Sequence, residues 1–103
     1  MQENMTVALI DDDMNFLKVM SLALEKEVRV QTFPDPIKAL SFFAVSKPDA
    51  VLLDMHMDQF DGLTVCQQIK SFDSKLPVFF LTSDHEVSRI AAGFESGAVD
   101  YFI

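Results

Sequence analysis

Val7-Ala8-Leu9-Ile10 runs straight into Asp11-Asp12-Asp13, and Ala50-Val51-Leu52-Leu53 ends in the same way on Asp54. A short apolar run of this kind reads as a strand covered on both faces, as in a parallel sheet. In an open parallel sheet, ligands bind outside the carboxyl ends of the strands, where the strand order reverses. Two such strands side by side would crowd several carboxylates into one crevice. Like charges 4 Å apart repel by roughly 4 kcal/mol at an effective dielectric near 20. A cluster this costly implies a bound cation.

Working outward, strand and helix patterns alternate. Thr6 to Ile10 is the first strand. Phe16, Leu17, Met20, Ala23 and Leu24 recur at helical spacing and predict a helix over about 14–26. Asp13 suits that helix's start through its dipole. Val28 to Phe33 alternates as an edge strand does. Pro36 fits the first turn of a second helix, to about Val45, with Ile37, Leu40, Phe43 and Ala44 as its buried stripe. After the third strand comes a loop over 55–61, with Gly62 as a point of special backbone and Asp61 as a cap for the third helix, to about Ser71. Val78 to Leu81 is wholly apolar and therefore central. Thr82-Ser83-Asp84 offers caps for a fourth helix with His85 exposed at its start, and Val99 to Ile103 begins a fifth strand. The pattern predicts an α/β fold: a doubly wound, five-stranded parallel sheet of order 2-1-3-4-5, flavodoxin-like. In that order the acids after the first strand meet Asp54.

Composition limits the function. The 103 residues suffice for one domain, and half of them are apolar, enough for a single core. No apolar run reaches the length of a membrane span, and the start is not that of a signal peptide. A net charge of -8 repels nucleic-acid phosphates, so no direct nucleic-acid binding is expected of this segment. The acids comprise eleven Asp and five Glu. Seven of the aspartates follow predicted strands, a bias that a merely solvated surface does not explain. The single cysteine, Cys66, excludes an internal disulfide and a thiolate zinc cluster, fits a reducing cytoplasm, and falls where a small packed hydrophobe belongs.

Four segments in order resemble the receiver domain of two-component response regulators. They are Val7 to Asp13; Val51 to Met57 with Asp61-Gly62-Leu63; Pro77 to Ser83; and Gly97 to Tyr101. The resemblance spans Thr6 to Ile103. It implies that Asp54 accepts a phosphoryl group from a phosphohistidine on a sensor histidine kinase or phosphotransfer protein. It further implies that Asp11, Asp12, Asp54 and the main-chain carbonyl of His56 hold Mg²⁺ (or Mn²⁺). Thr82 matches the hydroxyl that bonds the phosphoryl oxygen, and Tyr101 the aromatic switch. The residue types suit the chemistry. Hard oxygen ligands fit Mg²⁺, and neutralised charge lets an anionic nucleophile approach an anionic phosphoryl group. An acyl phosphate adds about two negative charges, a local switch of packing. No turnover enzyme activity is expected.

Two departures qualify the resemblance. Asp58 stands where the family usually carries proline, which alters the loop and adds an acid. The family's next lysine and fifth helix would follow Ile103, so residues 1–103 read as a receiver domain incomplete at its C-terminus and lacking the fifth helix. The expectation is early melting, or self-association through the uncovered sheet face, with an effector domain in a longer chain. The rival reading is a receiver-like interaction module that is never phosphorylated. A flavin protein would want hydroxyls and glycine in place of Asp11-Asp12-Asp13 to cradle a phosphate. A phosphohydrolase would want an acid where His56 stands, and dinucleotide binding lacks its glycine loop.

Overall fold

The computed structural model describes residues 5–81 and 100–102. Five parallel strands form one sheet: β1 (Thr6–Ile10), β2 (Arg29–Phe33), β3 (Ala50–Asp54), β6 (Val78–Leu81) and β7 (Asp100–Phe102). Their spatial order is β2-β1-β3-β6-β7, the expected 2-1-3-4-5 once a small ribbon is counted apart. That ribbon, β4 (His56–Met57) with β5 (Phe60–Asp61), is antiparallel and lies inside what reads from sequence as a plain loop. The helices are α1 (Met14–Leu24), α2 (Pro36–Phe43) and α3 (Gly62–Phe72). The expected fourth helix, with Thr82 and His85, lies outside the described residues.

Strand alternation sorts the side chains by face. Ala8 and Ile10 pair in register with Val51 and Leu53, which pair with Val78 and Phe80, and all six are buried. They share a core with Ala39 and Phe43 of α2 and Val65, Cys66 and Ile69 of α3. Each large side chain buried there contributes about 1.5–3 kcal/mol. Leu9 points to the other face. A right-handed crossover from β1 to β2 puts α1, with its buried Leu17, on that side, while the return from β2 to β3 puts α2 opposite. Leu52 and Phe79, in register on the α1 face, are half-buried, whereas their neighbours Val51 and Val78 are fully buried.

Helix starts follow local chemistry. The Asp13 carboxylate accepts from the main-chain N–H groups of Asn15 and Phe16 and so caps α1. Asp35 does the same for α2 through Ile37, with Pro36 in the first turn. Asp61 occupies the cap position of α3, but its side chain makes no cap hydrogen bond, contrary to expectation. Cys66 is fully buried, and burial pushes its thiol above the usual pKa, as suits a packing residue.

Candidate functional site

β1 and β3 lie side by side with Ile10 opposite Leu53, so the next residues out, Asp11 and Asp54, face each other at the carboxyl edge of the sheet. The ladder is continued past both strands. The Asp11 N–H donates to the Phe33 carbonyl, and the Met55 N–H donates to the Leu81 carbonyl, each at 3.1 Å. These bonds fix the main chain on either side of the crevice.

Three consecutive aspartates have three different surroundings. Asp11 is buried, and its Oδ1 accepts from the Asp13 N–H at 2.9 Å, a tight turn that aims the side chain inward. Asp12 is exposed, and its Oδ2 accepts from the N–H of Asp58 at 2.9 Å, a bond between residues 46 positions apart. Asp13 caps α1, its carboxylate engaged by the N–H groups of Asn15 and Phe16. Carboxylate oxygens of Asp11, Asp12 and Asp54 lie within 4.8 Å of one another. The three acids that the sequence singles out as ion ligands therefore converge.

Burial pushes the Asp11 carboxyl above its ordinary pKa, and the nearby charges of Asp12 and Asp13 push the same way. The Asp13 N–H and a hydrogen bond with Asp54 pull it partly back. A cation between the three carboxyls would relieve this repulsion. The donor set fits Mg²⁺, which takes hard oxygen ligands at about 2.0–2.1 Å in an octahedron and keeps several waters. Ligand oxygens of such an ion sit about 3–4 Å apart, within reach of the present spacing by small side-chain rotations or a bridging water.

The floor of the site is set by Gly62. Its N–H donates to the Met55 carbonyl at 3.1 Å. A Cβ at residue 62 would meet the Asp54 carbonyl oxygen at 2.6 Å and Met55 Cα at 2.8 Å. The special feature of Gly62 is thus close approach of backbone to backbone rather than an unusual dihedral angle. Between Met55 and Gly62 the chain runs out along β4, turns at Asp58-Gln59 and returns along β5. Met55 and Met57 are buried, and Phe60 packs on the same core, so the ribbon is anchored while its tip faces solvent.

The remaining expected site residues stand differently. His56 opens β4, two residues beyond Asp54. Thr82 lies outside the described residues. Tyr101 falls in β7, in register with Phe80, and its side chain lies outside what is described. Among the described residues, the Asp12–Asp58 contact and the ribbon that carries it are not foreseen from the sequence. Asp58 standing in a proline position was the available signal.

The response regulator receiver domain family matches residues 7–103. Response regulator MprA of Mycobacterium sp. (strain KMS) is 36% identical over 96 residues, covering 92% of this chain and 42% of that protein. MprA of Mycobacterium avium (strain 104) is 36% identical over 98 residues, covering 94% and 43%. The chain thus spans about two fifths of the length of these relatives. Among solved structures, DrrB, an OmpR/PhoB homolog from Thermotoga maritima, aligns with a TM-score of 0.85 at 32% identity, over 95% of this chain and 44% of that one. The chemotaxis protein CheY4 of Vibrio cholerae aligns at 0.92 over 97% of this chain and 86% of its own. At 19% identity it speaks for the fold alone. The family match runs from within β1 to the last residue, and this chain accordingly belongs to the receiver domains of two-component response regulators.

Proposed function

We propose that Asp54 is the phosphoacceptor of this receiver domain, and that Asp11 and Asp12, with the main-chain carbonyl of His56, hold Mg²⁺ (or Mn²⁺) beside it. The convergence of three carboxylates within 4.8 Å at the carboxyl edge of the sheet carries this reading. When bound, the ion neutralises charge between the attacking carboxylate and the phosphoryl oxygens. Asp54 supplies the nucleophile: a carboxylate oxygen bonds to phosphorus as the phosphorus–nitrogen bond of a phosphohistidine breaks, and the imidazole nitrogen leaves with the electron pair and takes up a proton. Asp11, held by the Asp13 N–H, presents a fixed oxygen. Thr82 would bond the transferred group and Tyr101 would respond by repacking, changing the surface offered to a partner.

The donor is a sensor histidine kinase or phosphotransfer protein, and the length of the curated relatives is in keeping with an effector domain as the receiver's output. The domain runs through residues 1–103, works in the cytoplasm and turns over no substrate of its own. Among the described residues, no helix is long and apolar enough to cross a membrane.

Incubation with Mg²⁺ and a small acyl phosphate, read by intact mass, tests the proposal. Wild type should gain one acid-labile phosphoryl group, and Asp54→Asn or chelation of the ion should abolish it. An adduct that persists in Asp54→Asn would place the acceptor at another residue, and none on folded wild type would favour the interaction module.

A further inference from the structure

We propose that the main-chain N–H of Asp58 is a positioning group for the ion site: it holds Asp12 in place before the ion arrives. The inference rests on the reading of Asp12 as an ion ligand. Asp12 is exposed, and its side chain would otherwise sample several rotamers. The bond from the Asp58 N–H to Asp12 Oδ2 is 2.9 Å long and charge-assisted, which makes it one of the stronger classes of hydrogen bond.

The donor is itself held. Asp58 sits at the tip of a ribbon whose register pairs His56 with Asp61 and Met57 with Phe60. Met55 and Met57 anchor the ribbon in the core, and Gly62 presses its base against the backbone at Asp54 and Met55. The N–H therefore points from a rigid support rather than from a free loop. With Oδ2 occupied, Oδ1 of Asp12 remains for the ion. A ligand already fixed in one rotamer loses less entropy on binding. The same ribbon then connects ion binding with the start of α3.

The bond needs a main-chain N–H, which proline lacks. Where the resemblance leads to the expectation of a proline, residue 58 supplies that N–H. The Asp58 side chain takes no part in the bond, so its charge can be removed separately. Asp58→Asn loses the charge and keeps the N–H; Asp58→Pro loses both. Comparing those two variants isolates the N–H.

The test is a Mg²⁺ titration of wild type and both variants, followed by backbone amide resonances. Asp58→Pro should bind roughly 3- to 10-fold more weakly than Asp58→Asn, the worth of one side chain that must be immobilised afresh. In wild type the residue 58 amide should exchange slowly with solvent and shift during the titration. Equal affinities in the two variants, with wild type binding normally, would overturn this proposal and leave the ion site standing. No uptake by wild type would overturn both. Should Asp58→Pro fail to fold, a residue 58 amide that exchanges freely and ignores Mg²⁺ in wild type is enough to reject the latch.

Discussion

Asp11, Asp12 and Asp13 are chemically identical neighbours that the fold separates into three jobs. Asp11 closes a turn and points into the crevice, Asp12 reaches across to Asp58, and Asp13 caps a helix. Asp13→Ala should therefore cost about 1 kcal/mol of stability, seen as a fall of about 4–8 °C in Tm, while phosphoryl uptake at saturating Mg²⁺ persists. Loss of uptake in a folded Asp13→Ala protein would contradict this division. Asp11 yields a pH prediction. Its folded pKa is raised by burial and by neighbouring acids, so the folded protein holds this proton more tightly than the unfolded chain does. Its contribution to stability is complete below the unfolded pKa and lost as pH rises through the folded value. Without divalent ions, Tm should rise as pH falls from neutral towards the ordinary carboxylate range, Asp11→Asn should flatten that rise, and Mg²⁺ should raise Tm most at the neutral end. A metal-free Tm that falls over this range, with the same slope in Asp11→Asn, would refute the assignment. Asp13's place at the helix start was legible because capping is local. The Asp12–Asp58 bond was not, because it joins residues far apart in sequence through a turn whose direction only the folded ribbon sets.

At the scale of elements, boundaries were readable where side-chain chemistry marks them and blurred where it does not. Pro36 announced α2 correctly. The first helix was expected to reach Lys26 but ends at Leu24, where Glu27 and Val28 both donate to the Leu24 carbonyl in a closing turn. The ribbon of β4 and β5 escaped notice because its turn, Asp58-Gln59, has neither glycine nor asparagine, the usual signals for a two-residue hairpin. Gly62 is a special point of the backbone, as expected, and what it supplies is room. Gly62→Ala places a methyl group against backbone atoms that cannot swing aside, at 2.6–2.9 Å. The strain should cost about 1–3 kcal/mol and should also weaken Mg²⁺ binding, since the atoms displaced are those of Asp54 and Met55. A thermal melt and a Mg²⁺ titration indistinguishable from wild type would show that the contact is slack.

Across the whole molecule, the decisive information was the repetition of one pattern. Two buried strands end on acids, and the alternation of strands and helices with right-handed crossovers leaves few sheet orders available. From that order alone the first and third strands become neighbours, and the register of Ile10 with Leu53 carries the acids to within bonding reach of one ion. On the α1 face Leu9 is fully buried while Leu52 and Phe79 are half-buried. The central claim is that this convergence makes Asp54, and no other acid of the cluster, the atom source that attacks phosphorus. Borohydride reduction converts an aspartyl phosphate to homoserine, and peptide mass spectrometry then locates it. After treatment with Mg²⁺ and an acyl phosphate, the account predicts homoserine at residue 54 alone, and none when the ion is chelated. Homoserine at residue 11, 12 or 58, or at residue 54 without a divalent ion, would contradict it.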